Sequence, residues 1–238
     1  MNTNKIFTFN NLELQYKIAI EAGYNIITCA DYCKLKNNLP QRTIVNRVDI
    51  DFSVKKAERL VEIFNRLNIK ASFFLRLHAP EYNPFSFENY RIIKNLVASG
   101  HELGYHSEII DQSIIWSENA DANLLRDIEI INQMFGIKIQ GVASHGGNTV
   151  YNNLDFWNEN KASDYGLLYE AYDKEPQFNL FHECFYISDS EWIRWKCYNK
   201  GTKIEGDYRS FSEHIKDNHP LIHILIHPDT YFDNHFYE

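Results

Sequence analysis

The 238-residue sequence is short of positive charge: 24 lysines and arginines stand against 32 aspartates and glutamates, a formal net charge of −8. That balance offers no general attraction to nucleic acid or to an anionic membrane surface, so neither partner class is expected. No apolar run approaches the ~18 residues of a membrane-crossing helix. The stretch Met1-Asn-Thr-Asn-Lys-Ile-Phe7 has no basic segment followed by a long apolar one, so no leader peptide and a cytoplasmic location are expected. Cysteine is scarce. Cys29, Cys33, Cys184 and Cys197 are too few and too unevenly spaced for a disulfide framework, and C-x-x-x-C is not the usual zinc pair. They read as reduced, structural thiols. Internal repeats, charge blocks and low-complexity linkers are also missing, so one domain over residues 1–238 is expected, with length enough for a sizeable core.

What is present is an alternation. Leu12, Leu14, Tyr16, Ile18 and Ala19 fit a short helix over 12–22 ended by Gly23, and 24–29 reads as a strand. A strand over 44–50 is followed by Val54, Ala57, Leu60, Val61, Phe64 and Leu67 at helical spacing. The dense apolar run 71–77 suits a strand covered on both faces. Tyr90, Ile93, Leu96 and Val97 then form a helix that Gly100 closes, at a position where a left-handed residue is usual. A strand over 101–106, a helix over 120–135 and a strand over 137–143 come next. Periodicity weakens over 150–218, where 166–172, 184–187 and 192–195 read as short strands and 211–216 as a helical turn or two. A buried strand at 221–226 completes the order. Strands alternating with helices argue for an α/β domain around a parallel sheet, open or closed as a barrel.

Polar clusters gather at the carboxyl ends of these strands, which is where barrels of this type keep their sites. In Arg47-Val-Asp-Ile-Asp-Phe-Ser53, Val48, Ile50 and Phe52 alternate with Arg47, Asp49 and Asp51, so a strand puts both carboxylates on one face. Two acids in one small space imply a shared proton, a cation, or divided roles. The bland alternative is a solvated turn, with Asp51 or Ser53 capping the next helix. Gly100-His-Glu-Leu-Gly-Tyr-His-Ser-Glu108 crowds His101, Glu102, His106 and Glu108 into one stretch, and imidazole with carboxylate is the donor set of a zinc-like divalent site. Ser144-His-Gly-Gly147 adds a loop-borne His145 beside glycines that let backbone amides approach a ligand. His227-Pro-Asp229 adds a further imidazole after the last strand.

The order acid pair, helix, strand, helix, then G-H-E-L-G-Y-H-S resembles the polysaccharide deacetylase family with NodB homology. The likeness spans about residues 44–228. Within the family it is similar to an intracellular-looking branch associated with surface-polysaccharide gene clusters, through Arg47–Asp51, Gly100–His106, Tyr186-Ile-Ser-Asp-Ser190 and Ile226-His-Pro228. The resemblance implies a distorted (β/α) barrel and a divalent metal, commonly zinc, that serves hydrolysis of an N-acetyl or related acyl group on a sugar. By position in the motifs it implies Asp49 as general base, Asp51 and His106 as metal ligands, and His227 as general acid. Two departures stand out. Ile110 occupies the position of the second liganding histidine, and Ser144-His-Gly-Gly147 replaces an arginine-proline loop that steadies the base. His145 is therefore the expected third ligand, with Glu108 as the alternative, and Arg47 or Arg76 stands in for the missing arginine. Arg47, Gly146, Gly147 and Asp189 are the candidate contacts to substrate or oxyanion.

The chemistry is coherent apart from the family. A divalent cation lowers the pKa of water toward ~7 and polarises a carbonyl. Asp49 then accepts a proton, and a protonated His227 supplies one to the departing sugar nitrogen. Each residue also has a structural role open to it: Asp49 as partner of Arg47, His227 as a strand-end residue. The aromatic rings Tyr82, Trp116, Tyr151, Trp157, Trp192 and Trp195 suit sugar stacking and an ordinary core equally. The expected function is a metal-dependent hydrolase that deacylates an amino sugar, nucleotide- or lipid-linked given the absent leader. The alternatives are a non-catalytic carbohydrate-binding pseudo-deacetylase, which Ile110 favours, and a hydrolase of another acyl or ester bond.

Overall fold

The computed structural model describes residues 7–234; the stretch from Met1 to Ile6 read for a leader lies outside them. Helix α1 (Phe9–Glu21) precedes the short strand β1 (Asn25–Ile27) and helix α2 (Cys29–Leu35). Strand β2 (Thr43–Ile50) leads through α3 (Val54–Arg66) to β3 (Ser72–Leu75), and α4 (Phe87–Ala98) leads to β4 (Glu102–Ser107). Helices α5 (Ile109–Trp116) and α6 (Ala120–Phe135) both intervene before β5 (Gly141–Ser144). Then come β6 (Tyr169–Glu170), α7 (Leu180–Glu183), β7 (Phe185–Ser188), the strands β8 (Lys196–Asn199) and β9 (Thr202–Ile204), α8 (Phe211–Ile215) and β10 (Leu221–Ile226). The sheet runs β6-β5-β4-β3-β2-β10-β7-β8-β9, with β1 on the first residues of β2. All pairings from β6 to β7 are parallel, and β8 and β9 add antiparallel. Parallel pairing brings the carboxyl ends of β2, β3, β4, β5, β7 and β10 to one rim.

Period-2 alternation divides the strands between two cores. Val48, Phe73, Leu103, Val142, Ile187 and Ile224 pack outward against the helices, including the Val54, Ala57, Leu60, Val61 and Phe64 stripe of α3. Val45, Phe74, Ala143, Tyr169, Tyr186 and Leu225 point the other way and pack against one another. These six strands, with β4 between β3 and β5, thus share one interior, as in a barrel. Among the described strands none pairs β6 with β7. That side is bridged by side chains instead: Tyr172, just past β6, reaches Tyr186 of β7 with the hydroxyls 3.3 Å apart, and the Arg47 guanidinium lies over the Tyr172 ring. The result is a distorted α/β barrel. Gly104 of the G-H-E-L-G motif faces this interior, where a Cβ would come 2.6 Å from the Phe74 ring and 2.9 Å from the Gly141 carbonyl oxygen. Gly100 has φ +80° after α4, as a left-handed helix end requires.

Several elements differ from the sequence reading. Cys29 begins α2 rather than ending a strand, because Thr28 caps that helix by accepting from Asp31 N. Residues 192–195 are not a strand; pairing to β7 starts at Lys196. Helix α5 was not legible: it has no side-chain N-cap, and Ile109, Ile110, Ile114 and Ile115 carry no clear 3.6 period among them. Ile110 therefore lies on a helix and packs against the outer core, not in a loop with His106.

Candidate active site and metal centre

On the interior face of β2, Arg47 and Asp49 are neighbours at i and i+2, so the strand itself pairs them. Arg47 donates Nε to Asp49 Oδ1 (2.8 Å) and Nη2 to Asp49 Oδ2 (2.7 Å), a two-point fork with both groups buried. Burial alone raises a carboxyl pKa; here Arg47, then His106 and His227, outweigh it and hold Asp49 below the usual carboxylate range. Arg47 Nη1 is buried with no hydrogen-bond partner. Asp51 sits just past the strand and lacks such a clamp. Its backbone carbonyl accepts from Arg76 Nη1 (3.0 Å), while its Oδ1 is buried without a hydrogen bond. Burial is again outweighed, by His106 first and then His227, so Asp51 is ionised.

His106 is the last residue but one of β4, with Nδ1 2.8 Å from the Ala143 carbonyl oxygen. A carbonyl accepts only, so Nδ1 carries a proton, and Nε2 faces Asp51 Oδ1, 3.2 Å away. Burial opposes the imidazolium, but Asp49 and then Asp51 outweigh it and raise the His106 pKa, so Nε2 gives up its proton to ligate. The β4–β5 pairing continues one step beyond the strands, where His145 N donates to Ser107 O (2.9 Å). That bond sets His145 beside His106, with ring centroids 5.0 Å apart and nearly perpendicular. Burial first, then His106 and Arg76, lowers the His145 pKa, which keeps its ring neutral. Asp51, His106 and His145 each bring a ligand atom to within 4.8 Å of the others. Two of the three residues have a buried polar atom without a hydrogen-bond partner, Asp51 Oδ1 and His145 Nδ1. Such atoms are costly unless something fills the space between them. One carboxylate and two imidazoles, both neutral once they ligate, fit a divalent transition metal.

Glu108 is placed differently. It is buried and accepts from Arg76 Nη2 at 2.7 Å, with Oε1 3.7 Å from His145 Nδ1. Glu108→Ala is thus expected to take from buried Arg76 its closer carboxylate, leaving Glu81 at 3.7 Å, and to lower stability, with metal affinity changed only a few-fold. His145→Ala is expected to lower metal affinity by more than ~10-fold, beyond the usual effect of a residue that only orients a ligand. Calorimetric titration of the metal-free proteins checks both. Metal lost from Glu108→Ala and kept by His145→Ala contradicts the ligand set.

Across the same cavity of about 430 Å³, His227 follows β10. Asp189 lies beneath it, fully buried, accepting from His227 N (3.0 Å) and contacting Nδ1 at 2.6 Å, so the ring presents Nε2 to the cavity, 3.8 Å from Asp51 Oδ2. Burial opposes the imidazolium, but Asp189 and then Asp51 and Asp49 overcome it and raise the His227 pKa to about 9. Asp189 was read from the sequence as a substrate contact; its burial under His227 makes it a positioning residue instead. Of the two candidate amide glycines, Gly146 lines the cavity and Gly147 does not: a Cβ on Gly147 would meet the Tyr151 carbonyl at 2.0 Å, so a tight turn requires it.

The sequence reading missed the anchor of this loop. Asp111, next to Ile110 in α5, accepts from Asn148 N, Thr149 N and Asn153 Nδ2 at 2.8–2.9 Å, and Asn153 Nδ2 also donates to Gly146 O (3.2 Å). Lys196 and Tyr172, which line the cavity, were missed too, since neither belongs to a motif. Of the six aromatic candidates, Trp192 lines the cavity, with φ +64° and its ring 5.6 Å from that of His227. Trp195 is buried in the outer core, and Trp157 donates to Ser144 Oγ. Tyr82 bonds Ile50 O, Tyr151 is exposed, and Trp116 lines a second cavity beyond Arg76 and Glu108.

No family model and no curated protein matches the sequence. Solved structures do. IcaB from Ammonifex degensii superposes with a TM-score of 0.51 at 16% identity, over 68% of this chain and 74% of that one. The catalytic domain of a peptidoglycan N-acetylglucosamine deacetylase from Eubacterium rectale gives 0.44 at 17%, over 78% and 76%. A mutant of BA3943, described as a CE4 family pseudoenzyme with restored enzymatic activity, gives 0.44 at 17%, over 78% and 56%. The fold is of the NodB deacetylase type, in agreement with the motif order. More particularly it is shared with IcaB, and at such identity the likeness speaks for the fold alone. No helix among the described residues is long and apolar enough to cross a membrane.

Proposed function

We propose that this chain is a metal-dependent hydrolase that removes an N-acetyl or related acyl group from an amino sugar. The observation that carries the reading is one cavity holding the Asp51–His106–His145 cluster, a clamped carboxylate and a supported imidazole. A bound divalent cation, zinc by its donor set, supplies the Lewis acidity that polarises an acyl carbonyl and acidifies water. Asp49 accepts the water proton, Arg47 holding its carboxylate in place. His227, kept protonated by Asp189, delivers a proton to the sugar nitrogen as the C–N bond breaks, since an amine anion leaves poorly unaided. The Gly146 amide and the free Arg47 Nη1 are the donors available to the oxyanion. Trp192 and Phe52, with ring centroids 5.5 Å apart at the rim, offer apolar faces to a sugar ring. Lys196 offers a cation to the phosphate of a nucleotide- or lipid-linked sugar. The test is a screen of acylated amino sugars, free, oligomeric and nucleotide-linked, for released carboxylic acid.

The pH dependence follows from the two directions. Asp49 is depressed and stays a base well into the acid range, whereas His227 is raised and stays an acid until the pH passes about 9. Rates are therefore expected to be flat through neutrality and to fall on the alkaline side. Asp189→Asn removes the main support of the imidazolium, so its alkaline fall should begin at lower pH. An alkaline limb of kcat/KM that Asp189→Asn leaves unmoved would assign the acid to another group.

Ile110, apolar where the family carries a second liganding histidine, favours a second reading: a sugar-binding domain without turnover. Sugar binding by a protein that takes up no metal supports that reading.

A further inference from the structure

We infer that His214, Asp217 and His219 form a second divalent-metal site at the opposite end of the barrel from the active centre. The three belong to one continuous segment, H-x-x-D-x-H, that runs from α8 into the start of β10. Because β10 rises ~3.3 Å per residue, this end lies about 20 Å from His227. His214 Nδ1 is 3.4 Å and His219 Nε2 is 3.9 Å from the same oxygen, Asp217 Oδ2, and all three donors lie within 4.8 Å of one another. Donors of a tetrahedral zinc-like ion are roughly 3.3–3.5 Å apart, so small side-chain shifts close the site.

Two further observations point to a ligand there. Both ring nitrogens that face Asp217 are buried and make no hydrogen bond, and His214 as a whole is fully buried. An unpaired buried donor is costly, and two aimed at one point are a preformed cradle. The far side of His214 is already occupied: Nε2 lies 3.2 Å from Cys197 Sγ and 3.5 Å from Asp207 Oδ1. A carboxylate there selects the tautomer with its proton on Nε2, which leaves the Nδ1 lone pair for a metal, the usual arrangement behind a liganding histidine.

The backbone holds these groups in register. Asn218 adopts φ +56°, which turns the chain tightly between Asp217 and His219. Tyr24 Oη donates to His219 O (2.7 Å), Arg42 Nη2 donates to Asn218 Oδ1 (3.0 Å), and the His219 ring stacks on Phe185 at 4.0 Å. One group competes. Arg209 Nη1 is 2.9 Å from Asp217 Oδ2, while its Nη2 and Nε bond Asp207. Arg209 is about half exposed, so it can swing off Asp217 and keep Asp207. Two imidazoles with one carboxylate, and solvent on the Asp217 side, suit Zn²⁺ or Co²⁺ rather than Mg²⁺ or Ca²⁺.

The experiment is calorimetric titration of Zn²⁺ into the chelator-dialysed full chain bearing Asp51→Asn, which weakens the other centre. One equivalent is expected to bind and to raise Tm, since a ligand taken by the folded state alone stabilises it. Adding His219→Gln or Asp217→Asn should weaken that binding by more than ~10-fold. Adding Arg209→Met should tighten it, because the competing guanidinium is gone; a merely structural loop gives no reason for that sign. Absence of uptake by Asp51→Asn, or uptake that His219→Gln and Arg209→Met leave unchanged, overturns the inference. Neither result bears on deacylation by the wild-type chain.

Discussion

Asp49→Asn is expected to keep the metal and to lose roughly 10²–10⁴ of turnover, the range a positioned proton acceptor contributes. Asparagine preserves shape but cannot accept the proton of an attacking water. The metal should survive because Asp49 is not one of the proposed donors: both its carboxylate oxygens are engaged by Arg47, and the residues that could hold an ion are Asp51, His106 and His145. The substitution also removes the carboxylate paired with buried Arg47, so some stability is lost with it. Thermal unfolding of Asp49→Asn separates that loss from the catalytic one. Asp51→Asn has the opposite signature, weakened metal binding with turnover restored in part by excess metal. Should Asp49→Asn empty the centre while Asp51→Asn leaves it filled, the two carboxylates have exchanged roles.

His227→Gln is expected to be as damaging on amides, again roughly 10²–10⁴ in kcat, and far milder on activated esters. An amide nitrogen must be protonated to leave, whereas a phenolate leaves unaided. The geometry gives this asymmetry its basis. Asp189 fixes Nδ1 at 2.6 Å, so Nε2 faces the cavity, and the same carboxylate keeps the ring charged. Comparison of kcat on a sugar amide and on an aryl ester of the same acyl group reads the difference. Equal losses on both substrates make His227 a positioning group and leave the proton donor to be found elsewhere.

Much of this was legible because strand alternation is local. Val48 and Ile50 against Arg47, Asp49 and Asp51 announced which face the acids share, and β10 was read to its residue limits because six apolar residues follow one another at Leu221–Ile226. Helix α6 was equally plain, with Asn119 capping one end and Gly136 at φ +66° closing the other. Phe52 broke the pattern: it lies past the end of β2 and is exposed beside Trp192. What stayed hidden depends on contacts across the sheet. Nothing at i±4 of Arg76 foretells its bond to Glu108, 32 residues away, and Asp189 gives no sign of lying under His227. The region 150–218 resisted because its elements are 3-10 turns, strands of two to four residues and helices of four and five residues, too short to show a period. His145 could be placed near His106 because β5, which His145 follows, is the strand after the one that carries His106, and the two are parallel neighbours. The Asp111 anchor that steadies the His145 loop could not, as it comes from the unforeseen α5.

The central claim is that this cavity deacylates an amino sugar by way of the Asp51–His106–His145 cluster. Its most direct test is acid release from an N-acetylated amino-sugar substrate by the chelator-stripped protein as Zn²⁺ is returned. The account predicts no release without metal, full activity once the cluster is filled, and a matching loss when His145→Ala is titrated in the same way. Sugar binding with no acid released at any metal concentration, or release undiminished after stripping, contradicts it.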